Sequence, residues 1–143
     1  MKNISVIGAG TMGNGIAHCF AQKGFQVSLI DLSTESLNNA KKTIQNNLTR
    51  MIKKGIITDE EKNKIFARIH FQTELNEGVK NSDLVIEAVT EKESVKLDIF
   101  KQLDQLCNKN TILASNTSSI SIAKISAATN RKDQVIGMHF MNP

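Results

Sequence analysis

Short apolar runs and helically spaced apolar residues alternate along this chain from its first residues onward. Ile4 to Ile7 is a short apolar run that stops at Gly8, the pattern of a strand buried on both faces. From Thr11 to Lys23 the residues Met12, Ile16, Ala17, Cys19 and Phe20 recur at helical spacing, and Gly24 supplies the stop. Phe25 to Ile30 reads as a second strand ending at Asp31. A long helix is predicted from Ser33 to Lys54, with Leu37, Ala40, Ile44, Leu48 and Met51 on one stripe. Thr43, Asn46, Asn47, Arg50 and Lys54 form the opposite stripe. Gly55 breaks that helix, and Thr58 to Glu61 is a capping box that opens a shorter one.

The alternation continues to the end. Ile69 to Thr73 and Asp83 to Val89 read as the third and fourth strands. Thr90 to Glu93 reads as a second capping box, opening a helix to Cys107. Thr111 to Ala114 and Val135 to His139 read as the fifth and sixth strands. This order predicts an α/β fold, a doubly wound parallel sheet of the Rossmann type with strand order 3-2-1-4-5-6. A helical excursion follows strand 2. The chain contains 143 residues, enough for one domain and one core. Its single proline, Pro143, is its last residue, and the sequence reads as one domain of a longer protein.

Charge changes the picture in one place. The net charge is +4, yet Lys41 to Arg68 holds eight basic and three acidic residues. The rest of the chain carries a net −1. With no Trp, no Tyr and 4 % aromatics, a base-stacking surface is not expected, so nucleic acid is not the expected partner. A basic patch of this size suits a phosphorylated small molecule. No apolar run reaches membrane-spanning length, and neither a signal peptide nor a membrane partner is expected. Cys19 and Cys107 lie in apolar helical patterns, which points to a reducing, cytoplasmic setting without disulfides.

Candidate chemistry sits where the strands end. Gly8-Ala9-Gly10-Thr11-Met12-Gly13 is G-x-G-x-x-G between the first strand and first helix, and Asp31 ends the second strand. Gly8 allows the turn, Gly10 lets backbone approach a pyrophosphate, and Gly13 allows close packing. Asp31 is placed to accept both ribose hydroxyls and would repel a 2′-phosphate, which favours NAD over NADP. FAD and S-adenosylmethionine sites share parts of this pattern. Beyond strands four, five and six lie Glu91 with Lys96, then Ser115 to Ser119, then His139 with Asn142. A histidine that deprotonates an alcohol beside a nicotinamide makes a dehydrogenase. His18 and His70 read as structural. Ser118 and its neighbours also suit the cap of the next short helix, and Glu91 and Lys96 read equally well as solvated helix surface. No metal site is expected.

The segments GAGTMGNGIA, VIEAVTE, ILASNTSSISI and GMHFMNP resemble the NAD-binding domain of 3-hydroxyacyl-CoA dehydrogenases, above all bacterial ones acting on 3-hydroxybutyryl-CoA. The resemblance spans the whole chain. It implies that His139 is the catalytic base of an HFxNP motif and that Ser118 holds the substrate oxygen. It implies that Gly8, Ala9, Gly10, Thr11, Met12, Gly13, Asp31, Val89, Glu91, Lys96, Ser118 and Asn142 line NAD. It places Asn47, Lys54, Ser118 and Asn142 on the acyl-CoA substrate, although Asn47 stands where relatives can have serine. It further implies a helical, dimer-forming domain absent from these residues, together with a glutamate that orients the histidine. Without that glutamate, the 143 residues are expected to bind NAD with little turnover. Two other readings stay open here: a non-catalytic NAD-binding module, or a dehydrogenase of another small hydroxy acid.

Overall fold

The computed structural model describes residues 1–140. Six parallel strands form one sheet in the order β3-β2-β1-β4-β5-β6. They are β1 (Asn3–Ile7), β2 (Gln26–Ile30), β3 (Ile69–Gln72), β4 (Leu84–Glu87), β5 (Ile112–Ser115) and β6 (Val135–Gly137). Helices α1 (Thr11–Gln22), α2 (Thr34–Lys53), α3 (Asp59–Ala67), α4 (Leu75–Val79), α5 (Glu93–Leu106) and α6 (Ile122–Ser126) connect them. The strand order is the one the sequence predicts.

Alternation along the strands sorts their side chains between two cores. Val6, Leu29, Ile86 and Ala114 face the core built with α1, α2 and α3. Their neighbours Ile7, Ile30, Val85 and Leu113 face the core built with α5 and α6. The long-helix stripe behaves as read: Leu37, Ala40, Ile44 and Leu48 are buried, and Met51 packs at the core's margin. Truncating Ile44 or Leu48 to Ala removes fully buried volume, a change that costs about 2–5 kcal/mol. Lys62 Nζ donates to Thr49 Oγ1 at 2.9 Å, and Arg68 donates to the Ala21 carbonyl at 2.8 Å. Part of the basic excess therefore fastens α3 to α2 and α1.

Four local expectations need correction. The capping box at Thr58 and Glu61 forms, but the one at Thr90 and Glu93 does not. Helix α5 starts at Glu93 after an uncapped Lys92, which puts Glu93 at the first helical position rather than the third, and its carboxylate pairs with Lys124 at 2.9 Å. The cap before α6 is Ser121, which accepts from the Lys124 amide, so Ser118 is not a cap. Strand β6 ends at Gly137 rather than His139. Its neighbour β5 ends at Ser115, and among the described residues the Met138 amide donating to the Ser115 carbonyl is the last bond of the ladder. Cys19 is exposed rather than part of the core, whereas Cys107 is buried and burial pushes its thiol up to about 11.

Candidate active site

The first turn of the site is fixed by steric exclusion. Gly8 has φ +103°, and a Cβ there would lie 2.6 Å from the Ala88 carbonyl oxygen. A Cβ on Gly13 would lie 1.6 Å from the Gly8 carbonyl oxygen, so α1 closes directly on its own loop. Gly10 differs, because a Cβ there would meet nothing within 4 Å. No protein contact requires a glycine at Gly10. The open space beside it, at the start of α1, suits the close approach of a phosphate to backbone amides.

Asp31 holds this turn to the end of β2. Its Oδ2 accepts from the Ala9 amide at 2.9 Å and its Oδ1 from the Ser33 amide at 2.9 Å. A carboxylate has about four acceptor positions, so each oxygen keeps one free for a ribose hydroxyl. Next to Asp31 lies an apolar slot of about 260 Å³ lined by Leu32, Leu75, Val95 and Ile99. These walls suit an adenine ring. The sequence pattern missed the slot: Leu32 is 90 % exposed and Val95 points outward, against the periodicity of a buried stripe.

Val89 borders both the slot and a second cleft of about 370 Å³. That cleft brings together Met12, Glu91, Lys96, Ser118 and His139, which come from four separate stretches of the chain. Asn116 also lines it, and its Oδ1 accepts from the Phe140 amide at 2.8 Å, tying the segment after β6 to the end of β5. Phe140 in turn packs edge-on against Phe20 of α1, with ring centroids 6.1 Å apart. These contacts hold His139 at the rim, exposed, on the same side as Ser118.

The floor of the cleft is ionic. Lys96 is 1 % exposed, which overturns the solvated-surface reading of this residue. Its Nζ donates to Glu87 Oε2 at 2.5 Å and to the Val89 carbonyl at 3.2 Å, and pairs with Glu91 Oε1 at 3.1 Å. Glu87, fully buried, also accepts from Ser115 Oγ at 2.6 Å and from the Val89 amide at 2.7 Å. Glu91 accepts from Thr117 Oγ1 at 2.8 Å and from Ser119 Oγ. The Ser119 hydroxyl first, then Thr117 and Lys96, hold the Glu91 carboxyl down at about 2 against a smaller opposing effect of burial. Sequence reasoning passed over Glu87, and it placed Asn116 only within the polar run Ser115 to Ser119. A glutamate closing an apolar strand run was the available signal for the former.

Other predicted site residues lie elsewhere. Asn47 and Lys54 sit on or just after α2, line no described cavity, and Asn47 accepts from Arg50 at 3.4 Å. Asn142 lies outside the described residues. His18 is half-buried on α1, and burial pushes its imidazole below the usual value. His70 is exposed and pairs with Gln26 at 3.1 Å. Neither reaches the cleft, in keeping with their structural reading. No helix among the described residues is long and apolar enough to cross a membrane.

Comparison with known proteins places this arrangement. The family described as "3-hydroxyacyl-CoA dehydrogenase, NAD binding domain" matches residues 3–143. A 3-hydroxybutyryl-CoA dehydrogenase from Bradyrhizobium diazoefficiens is 47 % identical over 143 residues, covering 100 % of this chain and 48 % of the relative. A probable 3-hydroxybutyryl-CoA dehydrogenase from Bacillus subtilis is 45 % identical over 143 residues, covering 100 % of this chain and 50 % of the relative. The crystal structure of (S)-3-hydroxybutyryl-CoA dehydrogenase from Ralstonia eutropha superposes with a TM-score of 0.96 at 44 % identity, covering 100 % of this chain and 50 % of that one. The chain thus spans about half the length of the curated relatives it matches.

Proposed function

The chain belongs to the 3-hydroxyacyl-CoA dehydrogenase family, as its NAD-binding domain, and from this premise we propose that the whole protein interconverts (S)-3-hydroxyacyl-CoA and 3-oxoacyl-CoA. We infer a short acyl chain, 3-hydroxybutyryl-CoA, because the relatives named above carry that name. The observation that carries the reading is the meeting of Ser118 and His139 in one cleft beside the Gly8–Gly13 turn and Asp31.

NAD, when bound, supplies the hydride acceptor. Gly8, Ala9, Gly10, Thr11, Met12 and Gly13 form its phosphate turn, Asp31 takes the ribose, and Val89, Glu91 and Lys96 border the nicotinamide end. Asn142 is assigned to the same end and to the substrate on the family resemblance. The His139 imidazole takes the proton from the substrate hydroxyl, and Ser118 Oγ donates a hydrogen bond to the same oxygen. In the opposite direction the imidazolium returns that proton. Lys54, exposed after α2, meets the phosphates of coenzyme A, and Asn47 lies on the same polar stripe. The family resemblance assigns dimerisation of the whole protein to a helical domain, and the cysteine pattern points to a cytoplasmic setting.

One experiment tests the assignment on the whole protein. NADH oxidation is followed with acetoacetyl-CoA for the wild type, His139→Ala and Lys54→Glu. Loss of this acid–base group, the general acid in this direction, is expected to lower kcat by about 10²–10⁴-fold. Lys54→Glu is expected to raise KM for the acyl-CoA in a salt-sensitive way with NADH affinity unchanged. Unchanged turnover in His139→Ala overturns the reaction assignment, and equal damage to both ligands overturns the coenzyme A contact.

A further inference from the structure

The ionic floor of the cleft does more than fill space beneath a cofactor. Lys96 Nζ donates to Glu87 and to the Val89 carbonyl, and it forms an ion pair with Glu91 as well. A buried cation in this protein would be matched in charge by Glu87 alone. The second carboxylate, Glu91, is 43 % exposed and is not needed to offset burial. What Glu91 adds is reach. Its Oε2 takes the hydroxyls of Thr117 and Ser119, the two residues flanking Ser118. Thr117 Oγ1 then accepts from the Ser119 and Ile120 amides at 3.3 and 3.1 Å, which closes the turn around Ser118.

Glu87 grips the same segment from its other end. Its Oε1 accepts from Ser115 Oγ, and that oxygen accepts from the Thr117 amide at 3.2 Å. The Asn116 amide donates to the Glu87 carbonyl at 2.9 Å. Glu87 and Ser115 are register partners at the carboxyl ends of β4 and β5, so this grip is part of the sheet itself. No described residue holds the Ser118 side chain, which stays exposed in the cleft while both of its neighbours are fixed.

We propose that Glu87 is a positioning residue: through Ser115 on one side and through Lys96 and Glu91 on the other, it sets the turn that presents Ser118 to the substrate. The proposal rests on the reading of Ser118 as the substrate-facing hydroxyl. Charge-assisted hydrogen bonds are shorter and stronger than neutral ones, so a chain of them is a stiff link between the β4 end and the β5 turn. The rigidity originates in a residue that does not touch the reacting atoms. A substrate-positioning hydroxyl loses effect with displacements of about 1 Å, so a fixed turn matters to rate.

The test has two arms. Amide hydrogen exchange is measured on the protein without substrate for the wild type, Glu87→Gln, Glu91→Gln and Asp104→Asn. Removing one charge-assisted hydrogen bond is expected to speed exchange at residues 117–120 by roughly tenfold in both glutamate variants. Asp104→Asn, which disturbs a buried ion pair at the far end of α5, is expected to leave 117–120 at the wild-type rate. If Glu87→Gln fails to fold, Glu91→Gln carries the test, since its partly exposed side chain is replaced without opening the core. The second arm compares kcat for Glu91→Gln alone and in a Ser118→Ala background. At saturating NADH, a roughly fivefold or larger loss in the first and a clearly smaller one in the second is the signature of action through Ser118. Unchanged exchange at 117–120, or additive losses in kcat, overturns the proposal. Failure of the whole protein to turn over any 3-hydroxyacyl-CoA overturns the proposed reaction instead, and leaves the exchange result to stand separately.

Discussion

Helix α5 meets a buried cation at each end, its own Lys96 near the start and Arg131 from the segment before β6 at the finish, and the two are used in opposite ways. Near its start, Lys96 is shared between Glu87 and Glu91, and one of those carboxylates opens onto the cleft. Near its finish, Arg131 reaches Asp104 at 2.8 Å and then spends its remaining donors on backbone carbonyls of Asp104, Cys107, Asn108 and Thr111. Those carbonyls include the last ones of α5, which have no partner within the helix. The arginine therefore closes the helix and joins it to β5, and its planar fork suits several fixed acceptors at once. The lysine, a point charge with three rotatable donors, joins groups at different depths. A cation whose donors end on backbone carbonyls and a buried carboxylate serves architecture. A cation with a partner at the edge of a cleft connects architecture to chemistry.

The largest expected effect breaks the architectural end. Arg131→Met strands Asp104 and four carbonyls, and breaking such a buried pair costs about 3–5 kcal/mol. Denaturant unfolding measures the loss, and Cys107, buried beside Arg131, is expected to become reactive to thiol reagents as this end opens. NAD affinity per folded molecule is expected to stay at the wild-type value. A matching loss of affinity would show that the two ends of α5 are not independent.

A smaller effect is expected at the cleft end, and it depends on pH. The Glu91 carboxyl lies at about 2 in the folded protein against 4.5 for an unperturbed group. A lowered folded value stabilises the fold above the unfolded value, and that contribution is lost as pH falls toward the folded one. The wild type is therefore expected to lose stability more steeply than Glu91→Gln between pH 4.5 and about 2. Parallel acid unfolding curves would mean that Glu91 is not held by the Ser119, Thr117 and Lys96 contacts.

The smallest effect calibrates both. Lys124 and Glu93 pair at 2.9 Å near the start of α5, yet their side chains are 60 % and 45 % exposed. Lys124→Ala is expected to change stability by about 0.2–1 kcal/mol, with turnover unaffected. A larger loss would mean that exposure is a poor guide to which ion pair on this helix matters.

Much of the candidate site was legible because its signals are local. The Gly8 to Gly13 turn, Asp31 at a strand end and His139 beyond the last strand are read from runs of a few residues. Lys96 was not legible in the same way. Apolar Val95 points outward and Lys96 points inward, so the periodicity that sorted α2 correctly gives the inverse answer at the start of α5. The failed capping box was not legible either. The helix opens at Glu93 itself, and a residue 31 positions away, Lys124, pairs with its carboxylate.

The sequence by itself determined the order of strands and helices, the two-faced burial of the sheet and the glycine turn. Those depend on side-chain period and on backbone angles that few residues permit, which are properties of short segments. Only the tertiary structure decided that Glu87 meets Ser115 and Lys96, that Glu91 holds both neighbours of Ser118, and that Ser118 shares a cleft with His139. These meetings require parallel crossovers that carry the chain back to the same edge of the sheet. No local pattern specifies which of several possible partners a buried charge will find there.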